Sequence, residues 1–480
     1  LHQHLGKMGR RIRKTYLIPE LDISAASSDG RGIGRLDGQV VFVEGAIPGD
    51  RVAVEVYRKE KRNLIGRLQQ IVSPSPSRRV PECRHFPLCR GCTWQMMIYT
   101  EQLRIKHDQV VEAIRRIGKT EPQKIQPILG NETPFWFRNK LEFSFGSLRF
   151  LTIEEMDRGL TPESENALGF NIRGHFNKIL QVDECLLQTR EVNPIKNAVR
   201  DFSVRNSFSF YDNKAHTGIL RNLVFRTSNS TGEMMIILVT SIGGESAANE
   251  ISRFTRENYP VVTSFIHLVN DKINNSYYDQ PWTCLYGNPW ITESLGRWNF
   301  RIGPVSFFQT NTNQAIRLYD IVRNFCGQSK QNIIYDLYCG AGSIGIYLSD
   351  LAEKIIGIEF ADEAVADARQ NVILNGLFHL SFYSGDMKKI LTEDFISKEG
   401  APDLVITDPP RAGMEKSVIE QLMKLSPPAI IYVSCNPATQ ARDIELMGEK
   451  YLLAEIQPVD MFPHTKHVES VALLKFRYNH

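Results

Sequence analysis

The sequence predicts an α/β protein: a Rossmann-like carboxyl-terminal domain, an amino-terminal OB-type β-barrel, and a central α+β region between them. Three observations lead there. Between residues 332 and 434, buried-strand runs alternate with helical stretches, the pattern of a doubly wound parallel sheet. The first of those strands leads into a glycine-rich turn, Gly340-Ala-Gly342, that opens a helix. The stretch from Thr15 to Val72 holds short strands at close spacing, separated by glycine turns.

In chain order, Leu1 to Lys14 is a basic tail without an apolar stretch behind it, so it does not read as a secretory signal. The barrel is expected over residues 15–74. Gln39 to Val43 and the alternating Val52, Val54 and Val56 are strands around the turn Ile47-Pro-Gly-Asp50. The basic run Arg58, Lys59, Lys61 and Arg62 is either a solvated hairpin tip or a phosphate-contacting surface. Pro74 and Pro76 among serines mark a linker.

The central region, residues 75–298, opens on three cysteines and an amphipathic helix near Thr100 to Ile117. Strand-like stretches follow at 139–145, 168–172, 223–227, 234–240 and 264–269, and antiparallel pairing is expected among them. Glu154 to Asn166 is polar and reads as an exposed loop. The last domain, 299–480, carries strands at 332–338, 354–359, 403–407 and 429–434, with a helix over Ala361 to Asn375.

Composition narrows the function. With 42% hydrophobic and 23% charged residues the chain is globular, and no apolar run is long enough to cross a membrane. A net charge of +3 leaves any nucleic-acid partner to local basic patches. Eight cysteines without a leader suggest the reducing cytoplasm, where metal or catalytic roles gain weight over disulfides.

In Asp336-Leu-Tyr-Cys-Gly-Ala-Gly-Ser343 the glycines let a ligand approach the backbone, and Glu359 ends the next strand where a ribose hydroxyl pair would lie. Dinucleotide enzymes share that logic, but the third glycine of their fingerprint is missing; a tight turn with a solvent-facing Glu is the plainer alternative. Asp408-Pro-Pro-Arg-Ala-Gly413, then Val433-Ser-Cys-Asn-Pro-Ala-Thr439, then Asp460-Met-Phe-Pro-His-Thr-Lys-His-Val-Glu469 form an ordered succession. That succession resembles the RNA uracil-5-methyltransferases, and the barrel resembles their TRAM domain, an OB-type RNA-binding module.

The resemblance implies S-adenosylmethionine as methyl donor. It implies cofactor contacts at Gln309 (in Phe307-Phe-Gln-Thr-Asn311), Tyr338, Ser343, Glu359 and Asp408, and at Asp386 where related methyltransferases hold the adenine amino group. It also assigns Cys435 as nucleophile and Glu469 as base. Carbon 5 of uracil is a poor nucleophile, so the chemistry needs a thiolate at carbon 6 and a base for the carbon-5 proton. Alone, Cys435 would read as a small buried hydrophobe. Arg411 is left between holding phosphate or uracil and bracing its loop; standing where amino-methyltransferases place an aromatic residue, it argues against N-methylation.

Cys83, Cys89 and Cys92 are spaced C-x5-C-x2-C, and spacing alone suits zinc or iron–sulfur. Resemblance to rRNA uracil-5-methyltransferases that hold a [4Fe–4S] cluster favours the latter, with Cys185 as fourth thiolate; the radical C-x3-C-x2-C arrangement is absent. Cys284, Cys326 and Cys339 read as buried thiols. The expected substrate is RNA, 23S ribosomal RNA before the tRNA T-loop, with the target uridine flipped out, no membrane association and a monomeric enzyme. A ribosome-assembly factor without catalysis is the contrasting reading, opposed by the presence of both Cys435 and Glu469.

Overall fold

The computed structural model describes residues 15–159, 166–172 and 174–477. The basic tail of residues 1–14 and residues 160–165 of the expected loop lie outside them; the start of that loop is instead part of a short helix, Ile153–Asp157. The chain forms two compact units. One runs to Pro87 and takes in Gly91–Ile105 and His464–Lys466; the other comprises Leu88–Arg90, Lys106–Pro463 and the residues from His467 on.

In the first unit β1 (Tyr16–Ala26), β2 (Gly32–Leu36), β3 (Gln39–Glu44), β4 (Arg51–Glu60) and β5 (Asn63–Ser73) close a barrel in the order β1-β2-β3-β5-β4. Alternation explains closure: Ile18, Leu21, Ile23, Val41, Val43, Val52, Val54 and Val56 turn inward to one core. Gly34 permits tight strand approach, since a Cβ there would stand 2.8 Å from the Asp22 carbonyl oxygen. Asp50 is buried in the Ile47-Pro-Gly-Asp50 turn, accepts from Ile47 N at 2.8 Å and Ser75 N at 2.9 Å, and pairs with Arg78, which ties the linker to the barrel. The basic run lies at the β4–β5 hairpin, with Arg58 and Lys59 still in β4.

In the second unit the short β6 (Lys124–Ile125) precedes a seven-stranded sheet of β7 (Lys140–Gly146), β8 (Ala167–Ile172), β9 (His175–Gln181), β10 (Leu220–Thr227), β11 (Met234–Thr240), β12 (Val262–Val269) and β13 (Trp282–Tyr286). Its order is β13-β12-β11-β10-β7-β8-β9. Pairing is antiparallel except between β11 and β12, which run parallel because the helix Glu245–Asn258 crosses over between them. A hairpin of β14 (Ile291–Leu295) and β15 (Trp298–Ile302) follows.

The carboxyl-terminal sheet comprises β16 (Gln331–Leu337), β17 (Ala352–Glu359), β18 (Leu380–Ser384), β19 (Leu404–Thr407), β20 (Ala429–Ser434), β21 (Tyr451–Val459) and β22 (Glu469–Phe476), in the order β18-β17-β16-β19-β20-β22-β21-β6. The first five are parallel, and β22 is antiparallel to both neighbours. Uninterrupted apolar runs fit a sheet covered on both faces: Ile334, Ile355, Ile406 and Ile431 enter one core, while Tyr335, Ile356, Val405 and Ile430 enter another. No helix among the described residues is long and apolar enough to cross a membrane.

Candidate active site

The ends of β16, β17, β19 and β20 lie side by side, and the turns beyond them build the site. After β16 the chain turns through Tyr338 (φ 60°), Gly340 (φ 54°) and Gly342 (φ 76°). Gly342 admits no side chain, for a Cβ there would lie 2.7 Å from the Phe382 ring; a Cβ at Gly340 would meet nothing within 4 Å, so that turn borders open space. Gly340 N donates to the Glu359 carboxylate at 3.1 Å, which joins the turn to the end of β17. Gly385 N donates to the Glu359 carbonyl at 2.8 Å and brings Asp386 next to it; Asp386 caps the short helix Met387–Ile390 through Lys388 N at 3.0 Å. The Ser343 hydroxyl is 2.8 Å from that of the buried Tyr319. Gln309 is half-buried, its carbonyl held at 2.9 Å by the Asn139 amide.

Asp336 was not nominated from the sequence, although it opens the quoted motif. It is fully buried; one carboxylate oxygen accepts from Gly345 N at 2.9 Å and the other has no partner among the described residues. Burial first, then Asp408 and Glu359, push it up to about 7 against the Gly345 bond. Asp408 is half-buried overall, with its carboxyl far enough inside for desolvation to push it up to about 7. Acid groups short of cations, and an orphaned carboxylate oxygen, fit a ligand carrying a sulfonium and an ammonium. Tyr319 gives no local signal, being one buried polar residue on an ordinary helix.

Ser434 and Ser470 are the last paired residues of β20 and β22, so Cys435 and Glu469 lie across from each other one step further on. Cys435 directly precedes Asn436, whose side chain accepts from Ala438 N and caps the helix Pro437–Met447 with Pro437 in its first turn. Gln440 of that helix clamps both strands, donating to the carbonyls of Tyr432 at 2.9 Å and Ser470 at 3.3 Å. Burial, then Glu469 and Asp408, push the Cys435 thiol up to about 11 against the pull of Arg411. Glu469 is buried and pushed up to about 8 by desolvation and Asp408, again opposed by Arg411. Arg411 lies 3.0 Å from His467 Nδ1, and its carbonyl accepts from Asn436 Nδ2 at 2.9 Å and Thr439 Oγ at 3.2 Å. The Asp-Pro-Pro-Arg and Ser-Cys-Asn-Pro segments are thereby one bonded surface.

The four cysteines expected to bind metal divide between the units. In the first, the Gln95 side chain accepts from Cys83 N at 3.1 Å and donates toward Cys92 Sγ at 3.2 Å. In the second, Cys89 and Cys185 lie half-buried against Ile172, Leu180 and Val182. Among the described residues no group of three or more Cys, His, Asp or Glu is placed to hold a metal ion. The amide donor on Cys92 sulfur is the kind of contact cluster thiolates receive, and four thiols are the right donor set; the metal reading rests on that chemistry and on spacing.

A parallel sheet with one antiparallel strand inserted between β20 and β21, a glycine turn closed by an acidic strand end, and Asp-Pro-Pro beyond the neighbouring strand define a methyltransferase that uses S-adenosylmethionine. Residues 295–477 match the tRNA (uracil-5-)-methyltransferase family, and residues 17–68 match the TRAM domain. The chain is 42% identical over 454 residues to an RNA methyltransferase of Bacteroides thetaiotaomicron, covering 94% of this chain and 100% of the relative. Against one from Porphyromonas gingivalis it is 43% identical over 461 residues, covering 95% and 99%. Among solved structures, the Pyrococcus abyssi tRNA (uracil-54, C5)-methyltransferase bound to S-adenosyl-L-homocysteine is similar at a TM-score of 0.74 and 28% identity, over 95% of this chain and 100% of that one. The protein belongs to the RNA uracil-5-methyltransferase family.

Proposed function

We propose that the protein methylates carbon 5 of a specific uridine in RNA through an adduct between Cys435 Sγ and carbon 6 of uracil, with Glu469 as the base. The observation that carries this reading is that Cys435 and Glu469 lie across from each other one residue beyond the last β20–β22 pair, Ser434 and Ser470. Bound S-adenosylmethionine supplies an electrophilic methyl group, held by Gln309, Tyr338, Ser343, Glu359, Asp386 and Asp408. Cys435 loses its proton and adds to carbon 6, moving the carbon 5–carbon 6 electron pair into an enolate. Carbon 5 then takes the methyl group. The Glu469 carboxylate removes the carbon-5 proton, and the returning electron pair expels Cys435 Sγ from carbon 6. One net proton leaves with each turnover. Arg411 is the cation that favours both anions.

The TRAM barrel and the four thiols favour 23S ribosomal RNA; the Pyrococcus neighbour, which methylates uracil 54 of tRNA, favours the T-loop as the second reading. The target has to leave its stack before carbon 6 meets Cys435, so a loop uridine suits the site better than a paired one. Incubating the protein with labelled cofactor and, separately, 23S rRNA and tRNA transcripts tests both: label at carbon 5 of a uridine in one of them is expected. No label in either would leave an RNA-binding factor without catalysis. We also assign Cys83, Cys89, Cys92 and Cys185 to a [4Fe–4S] centre with no step in methyl transfer. About four irons with acid-labile sulfide per anaerobically purified chain is the expected analysis; stoichiometric zinc without sulfide overturns it.

A further inference from the structure

Lys140 of β7 and Arg226 of β10 are direct cross-strand partners. Like charges so placed repel, and strands ordinarily avoid the arrangement. Arg226 is 3% exposed; its guanidinium donates to the Ser306 carbonyl at 2.5 Å, and its Nε is buried without a partner among the described residues. Lys140 is half-buried, with Nζ 3.3 Å from the Tyr278 hydroxyl and 5.0 Å from that ring's centre. Among the described residues no carboxylate lies within ion-pair distance of either cation.

The nearby acids, Glu142 beside Lys140 and Asp367 beside Arg226, favour the two cations through space but pair with neither. Glu142 accepts from Tyr277 at 2.8 Å and Asn222 at 3.1 Å, and Asp367 accepts from Ser306 at 2.5 Å. Burial, then Arg226, presses Lys140 down to about 7, so the pair is held at a cost that a bound anion would relieve. Tyr278 is 52% exposed, stacked on Tyr277, and receives the Lys140 bond on its oxygen, which leaves its own hydrogen to donate.

We infer that Lys140, Tyr278 and Arg226 form an anion site that takes a backbone phosphate of the RNA substrate. Its place supports this. Arg226 bonds the loop at Ser306, and Asn139, one residue before Lys140, bonds the Gln309 carbonyl of the same loop and Thr312, the first residue of the helix that follows it. A phosphate held there would anchor the strand next to the segment that positions Gln309. The ammonium supplies charge, the phenol a directed donor, and the buried guanidinium a field that water screens little.

The inference rests on the RNA-methyltransferase reading, which labelled methyl transfer by the wild-type protein judges separately. The test is equilibrium binding of a uridine-containing single-stranded RNA at rising potassium chloride, for wild type, Lys140→Met, Lys140→Arg and Tyr278→Phe. Losing one phosphate contact should weaken binding several-fold and flatten the slope of log K against log salt by about 0.7 in Lys140→Met. Lys140→Arg should keep the slope, and S-adenosylhomocysteine should bind all four proteins alike. Unchanged RNA affinity and slope in Lys140→Met overturns the proposal. So does weakened cofactor binding with RNA binding intact, which would make the anion the cofactor's carboxylate.

Discussion

Cys435 and Glu469 stand opposite each other one residue beyond the last cross-strand pair, Ser434 and Ser470, so two segments 34 residues apart deliver thiol and carboxyl to one place. Each is held in its protonated form by the same causes, burial and neighbouring acids, and each is favoured as an anion by Arg411.

That shared electrostatics predicts the pH profile. With Glu469 near 8 and Cys435 near 11, both anions that the proposed reaction needs are minor species at neutral pH. Because kcat/KM reports ionisations of the free enzyme, it should rise as pH passes through about 8 and keep climbing as the thiol begins to ionise. Arg411→Met should move the rise to higher pH. A profile already flat across neutral pH would show the two groups to be ionised in the free enzyme.

Cofactor binding should release protons. Asp336 and Asp408 sit near 7 because they are buried, and a cation placed among them favours their ionised forms. Calorimetry of S-adenosylmethionine binding at neutral pH, in buffers of different ionisation enthalpy, should show net proton release. Release should be smaller with S-adenosylhomocysteine, which lacks the sulfonium charge, and smaller again in Asp408→Asn. Identical heats in all buffers would contradict it.

Lys106 and Asp460 form a fully buried ion pair at 2.6 Å, and Lys106 also donates to the Phe462 carbonyl at 3.0 Å. Asn131 and Asn311 hold the carbonyls of Asp460 and Met461. Lys106→Met leaves the Asp460 carboxylate buried without the Lys106 ammonium, which costs about 3–5 kcal/mol. Urea unfolding should show that loss, and the double replacement Lys106→Met with Asp460→Leu should recover part of it. A single variant as stable as wild type would mean that the segment relaxes to solvate Asp460.

This pair also shows what the sequence could convey. Asp460 was visible as part of a motif, but its structural duty was not, because its partner lies 354 residues away. Features placed by local sequence were legible as positions: the glycine turn, the acid ending β17, and the segments that carry Cys435 and Glu469. The doubly wound sheet was legible because a strand covered on both faces cannot alternate. Asp336, Tyr319 and the Asn139 contact to Gln309 owe their positions to tertiary packing, and nothing near them in the chain announces it. The parallel pairing of β11 with β12 was missed for a related reason, since the deciding feature is the crossover helix between them.

The proposed catalytic roles of Cys435 and Glu469 separate most cleanly when each group is removed alone. Cys435→Ala should bind cofactor and RNA yet yield neither product nor adduct, because without addition at carbon 6 no enolate forms. Glu469→Gln keeps the thiol and removes only the base. Addition and methyl transfer remain open to it, while loss of the carbon-5 proton slows by about 10²–10⁴-fold, the usual cost of losing a general base. The methylated intermediate should then accumulate, and RNA carrying methyl label should stay attached to the protein on a denaturing gel. The same band should appear with wild type and a 5-fluorouridine substrate, since fluorine cannot leave as a proton. Normal turnover in Glu469→Gln, or an adduct that maps to a cysteine other than Cys435, would show that another pair does the chemistry.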